Sequence, residues 1–353
     1  MRYDPRFGYT YMPGMKSRVI GPGGSYLIRT NQLGFRSDRE FSDRAKRGTY
    51  RALLFGDSQT AGDGVGNENR FSDLLEQELP DLEIYNYALS GTSIDQHFLI
   101  YNEHASVDHD LVVIAFYVEN ILRVRCRVVK GRAENGAEVF REKPFYQIAG
   151  DRLVLNNVPV RKQPWTAETL PEELRPHVYS FGDANLVFRN QSRWHGRILK
   201  GLAPFGPLRR WLKLALARLR GFHPLGDYDD PSDPSWQLLR KILVEWTSQS
   251  SKPVLLALIP LESAIDGLSD PRNYQKRFSE LAAETGCLVH DLLPDLMALS
   301  KDERRSLWSY KSGHLSTLGH RVIAHLMAPV IRHILTDTSS AESGIEGRAA
   351  ASP

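Results

Sequence analysis

The residues with the clearest chemical potential are a serine and a histidine that lie far apart in the chain. Ser58 closes a Gly-Asp-Ser turn directly after the apolar residues 53–55, and His314 begins a His-Leu-Ser-Thr segment near the C-terminus. A serine hydroxyl becomes a nucleophile when a base takes its proton, and a neutral histidine suits that task near pH 7. If the fold brings them together, the two residues could perform acyl transfer, with Ser58 as nucleophile and His314 as general base.

The segment around Ser58 predicts how the hydroxyl would be positioned. An apolar strand that ends in this turn places Ser58 at the carboxyl end of a parallel sheet, where open α/β sheets bind their ligands. The small residues that follow predict a helix, whose N-terminus favours developing negative charge. The simpler alternative is that Ser58 only caps this helix, which serine does in many proteins. His314 has a simple alternative too, as a surface residue before a helix.

Two more landmarks lie between the serine and the histidine. Gly91 follows a short strand predicted at residues 83–87, and Asn120 ends an apolar strand predicted at residues 111–120. Either residue could also be an ordinary turn residue. Taken in order, the Gly-Asp-Ser turn, the post-strand glycine, the post-strand asparagine and the late His-Leu segment resemble the SGNH (GDSL-type) hydrolase superfamily. Four ordered landmarks are more specific than any one of them.

The resemblance covers roughly residues 50–125 and 250–332, and it implies roles for the four residues. It implies an oxyanion hole built from the backbone amide of Ser58, the backbone amide of Gly91 and the side-chain amide of Asn120. Such donors stabilise the negative charge that develops on the carbonyl oxygen during acyl transfer. Glycine suits this role because a backbone without a Cβ can approach a substrate closely.

The chain departs from the family pattern beside the histidine. The family commonly carries an aspartate two or three residues before it, where this chain has Ser312 and Lys311. Asp291 and Asp295, after a predicted strand, are minor candidates to replace that acid. Losing the orienting carboxylate can cost orders of magnitude in rate. The sequence is compatible with a slow enzyme, with an enzyme in which another group orients the histidine, and with an inactive protein.

The alternation of strands and helices predicts the fold. Strand, helix, strand, helix and strand follow one another from residue 51 to residue 118, which implies parallel strands with right-handed crossovers. With the family resemblance, this predicts a flavodoxin-like, three-layer α/β SGNH hydrolase fold with a five-stranded parallel sheet. We divide the chain into five parts. They are a β-rich extension (residues 1–50), a first core half (51–122), an inserted hairpin and basic helical cap (123–235), a second core half (236–335) and a disordered tail (336–353). The extension resembles that of long family members associated with polysaccharide and surface-glycan genes.

The insertion carries a basic segment at residues 189–220 that contains an amphipathic helix, predicted at 211–220. We favour a cap packed over the core, with its Lys and Arg side chains in solvent. Contact with a membrane surface or an anionic glycan is the alternative.

Composition narrows the classes of function. The net charge of +3 is too small to suggest a nucleic-acid partner. The only two cysteines, Cys126 and Cys287, indicate neither a disulfide framework nor a zinc site. The group His97, His104 and His109 lacks metal-ligand spacing, so we expect no metal and no cofactor. No signal peptide or transmembrane segment is visible, which predicts a cytoplasmic protein.

These observations predict a serine esterase that works through an acyl-enzyme on a small-molecule or glycan ester. The resemblance makes an O-acetylated carbohydrate a plausible substrate. An O-acetyltransferase would use the same serine and histidine, with a sugar hydroxyl in place of water. A catalytically silent glycan-binding or assembly protein is the alternative that the absent aspartate supports. Neither the acyl group nor the oligomeric state follows from the sequence.

Overall fold

The N-terminal extension consists of two short antiparallel hairpins. In a computed structural model that describes residues 1–21, 24–133, 135–180, 223–309 and 313–349, β1 (Arg2–Asp4) pairs with β2 (Gly8–Thr10), and β3 (Lys16–Gly21) pairs with β4 (Gly24–Arg29). Residues 2–29 are therefore rich in β-structure, and the boundary of the extension at residue 50 stays a prediction.

The centre of the molecule is a five-stranded parallel sheet. Its strands are β5 (Tyr50–Gly56), β6 (Leu82–Asn86), β7 (Leu111–Tyr117), β13 (Val254–Ile259) and β14 (Leu288–Asp291). They lie in the order β14–β13–β7–β5–β6, and every neighbouring pair is parallel. Counted in chain order this is 2-1-3-4-5, the order of flavodoxin-like doubly wound sheets, so the predicted fold class is confirmed.

Helices cover both faces of this sheet. The α-helices of the core are Ser58–Ala61, Phe71–Glu78, Ile94–His104, Pro234–Gln249, Glu262–Ile265, Arg272–Thr285, Leu293–Ala298, Lys301–Ser306 and Thr317–Ala349. From β5 the chain moves to β6 at one edge of the sheet, and from β6 onward it moves the opposite way, through β7 and β13 to β14. Because parallel crossovers are right-handed, the helix between β5 and β6 lies on the face opposite to the helices of the later connections. Helix Phe71–Glu78 accordingly packs against the last helix, whereas the helices that begin at residues 94, 234 and 272 pack together.

The central strands are buried on both sides because they are apolar at nearly every position. All residues of β13 are buried, and so are those of β7 as far as Phe116. The end of β5 also requires a small residue. A Cβ on Gly56 would lie 2.2 Å from the Thr60 hydroxyl and 2.9 Å from the Ala115 carbonyl oxygen. Glycine therefore lets the chain turn closely at the start of the candidate site.

The insertion adds two small sheets beside the core. β10 (Phe145–Ala149) and β11 (Arg152–Asn156) form the predicted hairpin. The second small sheet was not predicted. It contains β8 (Val128–Arg132), β9 (Glu138–Glu142) and β12 (Val178–Ser180), in the order β12–β8–β9. The predicted basic cap, residues 189–220, lies outside the described residues, so its packing over the core stays a prediction, with membrane contact as the alternative.

The last helix is longer than predicted. It runs over Thr317–Ala349, so the backbone is helical through most of the segment that we predicted as a disordered tail. Polar composition suggested disorder there, but residues 336–349 contain no proline, the residue that most strongly breaks a helix. Among the described residues, no helix is both long and apolar enough to span a membrane.

Candidate active site

Ser58 lies at the carboxyl end of β5, as the first residue of helix Ser58–Ala61. Asp57 is the N-cap of this helix: its backbone is extended, and its Oδ1 accepts the Gln59 backbone N–H at 3.0 Å. The carboxylate of Asp57 is fully buried and supports the turn. Because Asp57 performs the capping, Ser58 is not needed as a cap, and its hydroxyl is left to make another contact.

That contact is with His314. The His314 Nε2 and Ser58 Oγ lie 3.0 Å apart, although the two residues are 256 positions apart in the chain. The histidine lies in a tight loop that closes with the Trp308–Leu315 bridge and with a bond from the Ser309 backbone N–H to the His314 carbonyl, at 2.8 Å. The ring is half-buried against the serine, so the interpretation of His314 as an unengaged surface residue is wrong.

Gln59, the residue after the serine, holds the histidine loop in place. Its side-chain amide N–H donates to the Gly313 carbonyl at 3.2 Å, and its Oε1 accepts the Leu315 backbone N–H at 3.0 Å. The two bonds bracket His314 on both sides. This role could not be predicted from the sequence, because no local signal in the chain relates residue 59 to residues 313–315.

Asn120 lies beside the same turn, in a 3₁₀ helix and not on the strand. β7 ends at Tyr117, and the 3₁₀ helix Val118–Arg123 follows, so the predicted strand end at residue 120 is corrected by three residues. The buried Asn120 amide donates one N–H to Asp57 Oδ2 at 3.2 Å. A primary amide carries two N–H groups, and the described residues supply an acceptor for one of them.

Gly91 lies in a turn that is restrained at its neighbours. Its φ of +77° is in the left-handed region that favours glycine. The Thr92 hydroxyl donates to the Leu89 carbonyl at 2.6 Å and lies 2.9 Å from His97 Nε2, which therefore carries the proton. These bonds fix the backbone on either side of the glycine, whose own N–H is the group that the family resemblance assigns to the oxyanion hole.

A second carboxylate, missed by the sequence analysis, lies close to this turn. The Ser90 hydroxyl donates to Asp63 Oδ2 at 2.5 Å, and the Asp63 backbone N–H donates to the Ser58 carbonyl at 3.0 Å. Tyr9 of the N-terminal extension donates its hydroxyl to the Ser90 carbonyl at 2.7 Å. Burial raises the pKa of the Asp63 carboxyl, while the Ser90 bond and the charge of His314 oppose the rise. Asp63 therefore interacts electrostatically with the histidine.

The acids considered as replacements for the absent aspartate have other partners. Asp291 accepts the Leu293 backbone N–H at 3.0 Å and the Tyr274 hydroxyl at 3.3 Å. Asp295 lies 3.8 Å from His290. Neither is described in contact with His314. Lys311 and Ser312, which occupy the usual positions of the acid, lie outside the described residues.

The histidines outside the site have structural contacts. His104 stacks on Tyr87, with ring centroids 4.6 Å apart, and His109 Nδ1 lies 2.6 Å from the Val107 carbonyl. Within the described part of the chain, no group of three or more His, Cys, Asp or Glu side chains is placed to hold a metal ion. His320 is fully buried, and its Nδ1 accepts the Phe71 backbone N–H at 3.2 Å, which is a structural role.

Comparison with known proteins finds similarity only at the level of structure. No protein-family model matches the chain, and no curated protein is significantly similar to it in sequence. Among solved structures, it is similar to an acetyl xylan esterase, AlAXEase (15% identity, TM-score 0.41, 80% of this chain and 99% of that chain). It is also similar to a lipolytic protein of the G-D-S-L family from Veillonella parvula (13%, 0.40, 80% and 98%) and to a lipase/acylhydrolase from Enterococcus faecalis (14%, 0.39, 81% and 96%).

These similarities are remote. The fold assignment therefore rests on the strand order of this chain, and the chemistry of the site rests on its own side chains.

Proposed function

We propose that this protein is a serine ester hydrolase of the SGNH type, with Ser58 as nucleophile and His314 as general base. The observation that carries the proposal is the 3.0 Å contact between Ser58 Oγ and His314 Nε2, at the carboxyl end of the strand beside the sheet's switch point. Ligand sites of open α/β sheets lie at this position. The reversal of strand order between β5 and β7 brings Asp57 and Asn120 into hydrogen-bond contact there.

The proposed mechanism follows from the donors and acceptors present. His314 Nε2 takes the proton of Ser58 as Oγ attacks the ester carbonyl carbon, and the carbonyl oxygen becomes an oxyanion. The backbone N–H groups of Ser58 and Gly91 and the second N–H of Asn120 are the proposed donors to it. His314 then gives its proton to the leaving alkoxide, which leaves an acyl-enzyme. Water, activated by the same histidine, releases the acid.

The test is hydrolysis of p-nitrophenyl acetate together with labelling by a fluorophosphonate probe, followed by intact mass. We expect the wild type to turn over and to gain one phosphonyl group, while Ser58→Ala abolishes both. We expect His314→Ala to reduce turnover by at least about 1,000-fold, the scale seen when a member of such a catalytic group is removed. His325→Ala is the matched control, because this histidine is 80% exposed on the last helix and touches none of these residues.

Absence of both turnover and labelling in a folded wild-type protein would refute the proposal. Weight would then move to a glycan-binding or assembly protein, which the residues at 311 and 312 support because neither is an acid.

The acyl group and the acceptor are finer proposals. We propose an O-acetyl group on a carbohydrate, as the family resemblance implies, and hydrolysis in preference to transfer. The test is acetate release from acetylated xylan in the presence and absence of a free oligosaccharide acceptor. Free acetate in equal yield under both conditions supports a hydrolase. Acetylated oligosaccharide in place of free acetate would show an O-acetyltransferase.

A further inference from the structure

Arg123 is a buried cation at the back of the candidate oxyanion hole. It closes the 3₁₀ helix that carries Asn120, and its side chain is 8% exposed. Its Nη1 donates both to Asp57 Oδ2 and to the Thr92 carbonyl, each at 3.3 Å. Arg123 therefore links the turn of the nucleophile, the turn of Gly91 and the helix of Asn120, which are the three segments proposed to hold the oxyanion.

The position of Asp57 creates an electrostatic problem that this cation can solve. The Asp57 carboxylate is 1% exposed, and its Oδ2 also accepts the Asn120 amide, one of the proposed oxyanion donors. An ester is neutral, but its tetrahedral intermediate carries a negative charge close to this carboxylate. Two like charges at short range in a buried site repel each other strongly. Without a compensating cation, Asp57 would therefore oppose the charge that the reaction must develop.

The other contacts of Arg123 keep the cation fixed and charged. The Tyr179 ring lies 5.1 Å from the guanidinium carbon, and Glu119 Oε1 lies 3.8 Å from Nη2. Burial alone would lower the pKa of the guanidinium, but the neighbouring Asp57 and Glu119 carboxylates outweigh this and raise it. The guanidinium thus stays protonated at any working pH.

We infer that Arg123 is a positioning residue for the reaction: it neutralises Asp57 and holds the Gly91 and Asn120 segments at the geometry that stabilises the oxyanion. The inference rests on the proposed function. It predicts a loss confined to the transition state, because the neutral ester does not experience the repulsion.

The test measures kcat and KM for p-nitrophenyl acetate in three variants, together with the inhibition constant of a trifluoromethyl ketone that forms an anionic serine adduct. Arg123→Gln keeps a donor but loses the charge, and we expect kcat to fall by about 100-fold with KM within about threefold. The ketone should bind more weakly by a similar factor. Arg123→Lys keeps the charge, and we expect it to recover most of the lost kcat. Arg277→Gln is the matched control. This arginine is also buried and pairs with Glu280 within helix Arg272–Thr285, so its substitution should leave kcat unchanged.

A double variant keeps the inference testable if Arg123→Gln does not fold. Asp57→Asn with Arg123→Gln removes the charges of both partners, so the side chain at position 57 no longer repels the oxyanion. We expect it to turn over faster than folded Arg123→Gln, or to be folded and active where Arg123→Gln is not.

The inference is overturned if folded Arg123→Gln retains kcat within about threefold of an active wild type, if its loss lies in KM, or if the double variant is less active than Arg123→Gln. A wild type that neither turns over nor reacts with the fluorophosphonate would overturn the proposed function itself, and this inference with it.

Discussion

At the residue scale, the candidate site depends on side chains that each form hydrogen bonds to more than one segment of the chain. Asp57 caps the helix of Ser58 through one oxygen and binds Asn120 and Arg123 through the other. Gln59 joins the serine turn to both sides of His314. These bonds are buried, so a side chain that loses them leaves unsatisfied polar groups as well as a misplaced catalytic group.

Gln59→Met tests the role of this bracket. Methionine keeps the length and the burial of the side chain but removes both hydrogen bonds to the histidine loop. We expect kcat for p-nitrophenyl acetate to fall by about 10- to 100-fold, because small displacements of a general base are costly. The rate of fluorophosphonate labelling should fall in parallel. Gln249→Met, at an exposed helix end, is the control. A Gln59→Met protein with wild-type kcat would show that the loop is positioned by other contacts.

At the scale of elements, the 3₁₀ helix Val118–Arg123 is held by residues on both sides of the segment that lies outside the described residues. Tyr179 donates its hydroxyl to Glu119 at 3.2 Å before that segment. Tyr228 donates its hydroxyl to the Val118 carbonyl at 2.8 Å after it. The helix that carries Asn120 and Arg123 therefore depends on the inserted region for two of its contacts, although its own strand belongs to the core.

Tyr228→Phe tests that dependence. The change leaves the buried Val118 carbonyl without this partner, which we expect to lower the free energy of unfolding by about 1–2 kcal/mol. We also expect kcat to fall severalfold, since the displaced helix carries Asn120. Tyr274→Phe removes a comparable buried hydroxyl, bonded to Asp291, and should lower stability without changing kcat. Equal effects of the two variants on kcat would refute a specific link between Tyr228 and the site.

At the scale of the whole molecule, buried charged side chains connect the extension and the insertion to the sheet. Arg36 of the extension donates to the Gly62 and Val65 carbonyls, just after the helix of Ser58, and burial lowers its pKa to about 10. Lys143 of the insertion forms a buried ion pair with Asp95 of the core. Breaking such a pair on one side only leaves an uncompensated charge. We therefore expect the extension and insertion to be integral to the stability of the core.

Two buried histidines predict how stability changes with pH. Burial lowers the pKa of His97 and of His320 to about 3. Below the ordinary histidine pKa of about 6.5, the unfolded chain binds protons that the folded protein excludes, so stability falls as the pH falls. Each histidine should contribute a decline of about 1.4 kcal/mol per pH unit between about pH 6 and pH 4.

Urea unfolding at pH 7.5, 6.0 and 5.0 measures this decline. His97→Gln preserves the donor to Thr92, and His320→Asn preserves the acceptor for Phe71. Each variant should make the decline between pH 6.0 and 5.0 shallower by about 1 kcal/mol. His325→Asn, at an exposed position, should not alter it. If the free energy of unfolding of His97→Gln and of His320→Asn declined with pH as steeply as that of the wild type, the result would contradict the burial of these rings.

The strands of the central sheet, their alternation with helices and the candidates Ser58, Gly91, Asn120 and His314 could all be predicted from the chain. These features are local: continuous apolar runs become buried strands, and glycine, asparagine and Gly-Asp-Ser mark where strands end. The contacts between distant polar groups depend on the folded arrangement and could not be predicted. The bracket of His314 by Gln59 spans more than 250 residues, and Arg123 is one of 45 Lys and Arg residues with no local mark of its own. Their roles arise because parallel strands far apart in sequence end at one edge of the sheet, where burial makes each polar group find a partner.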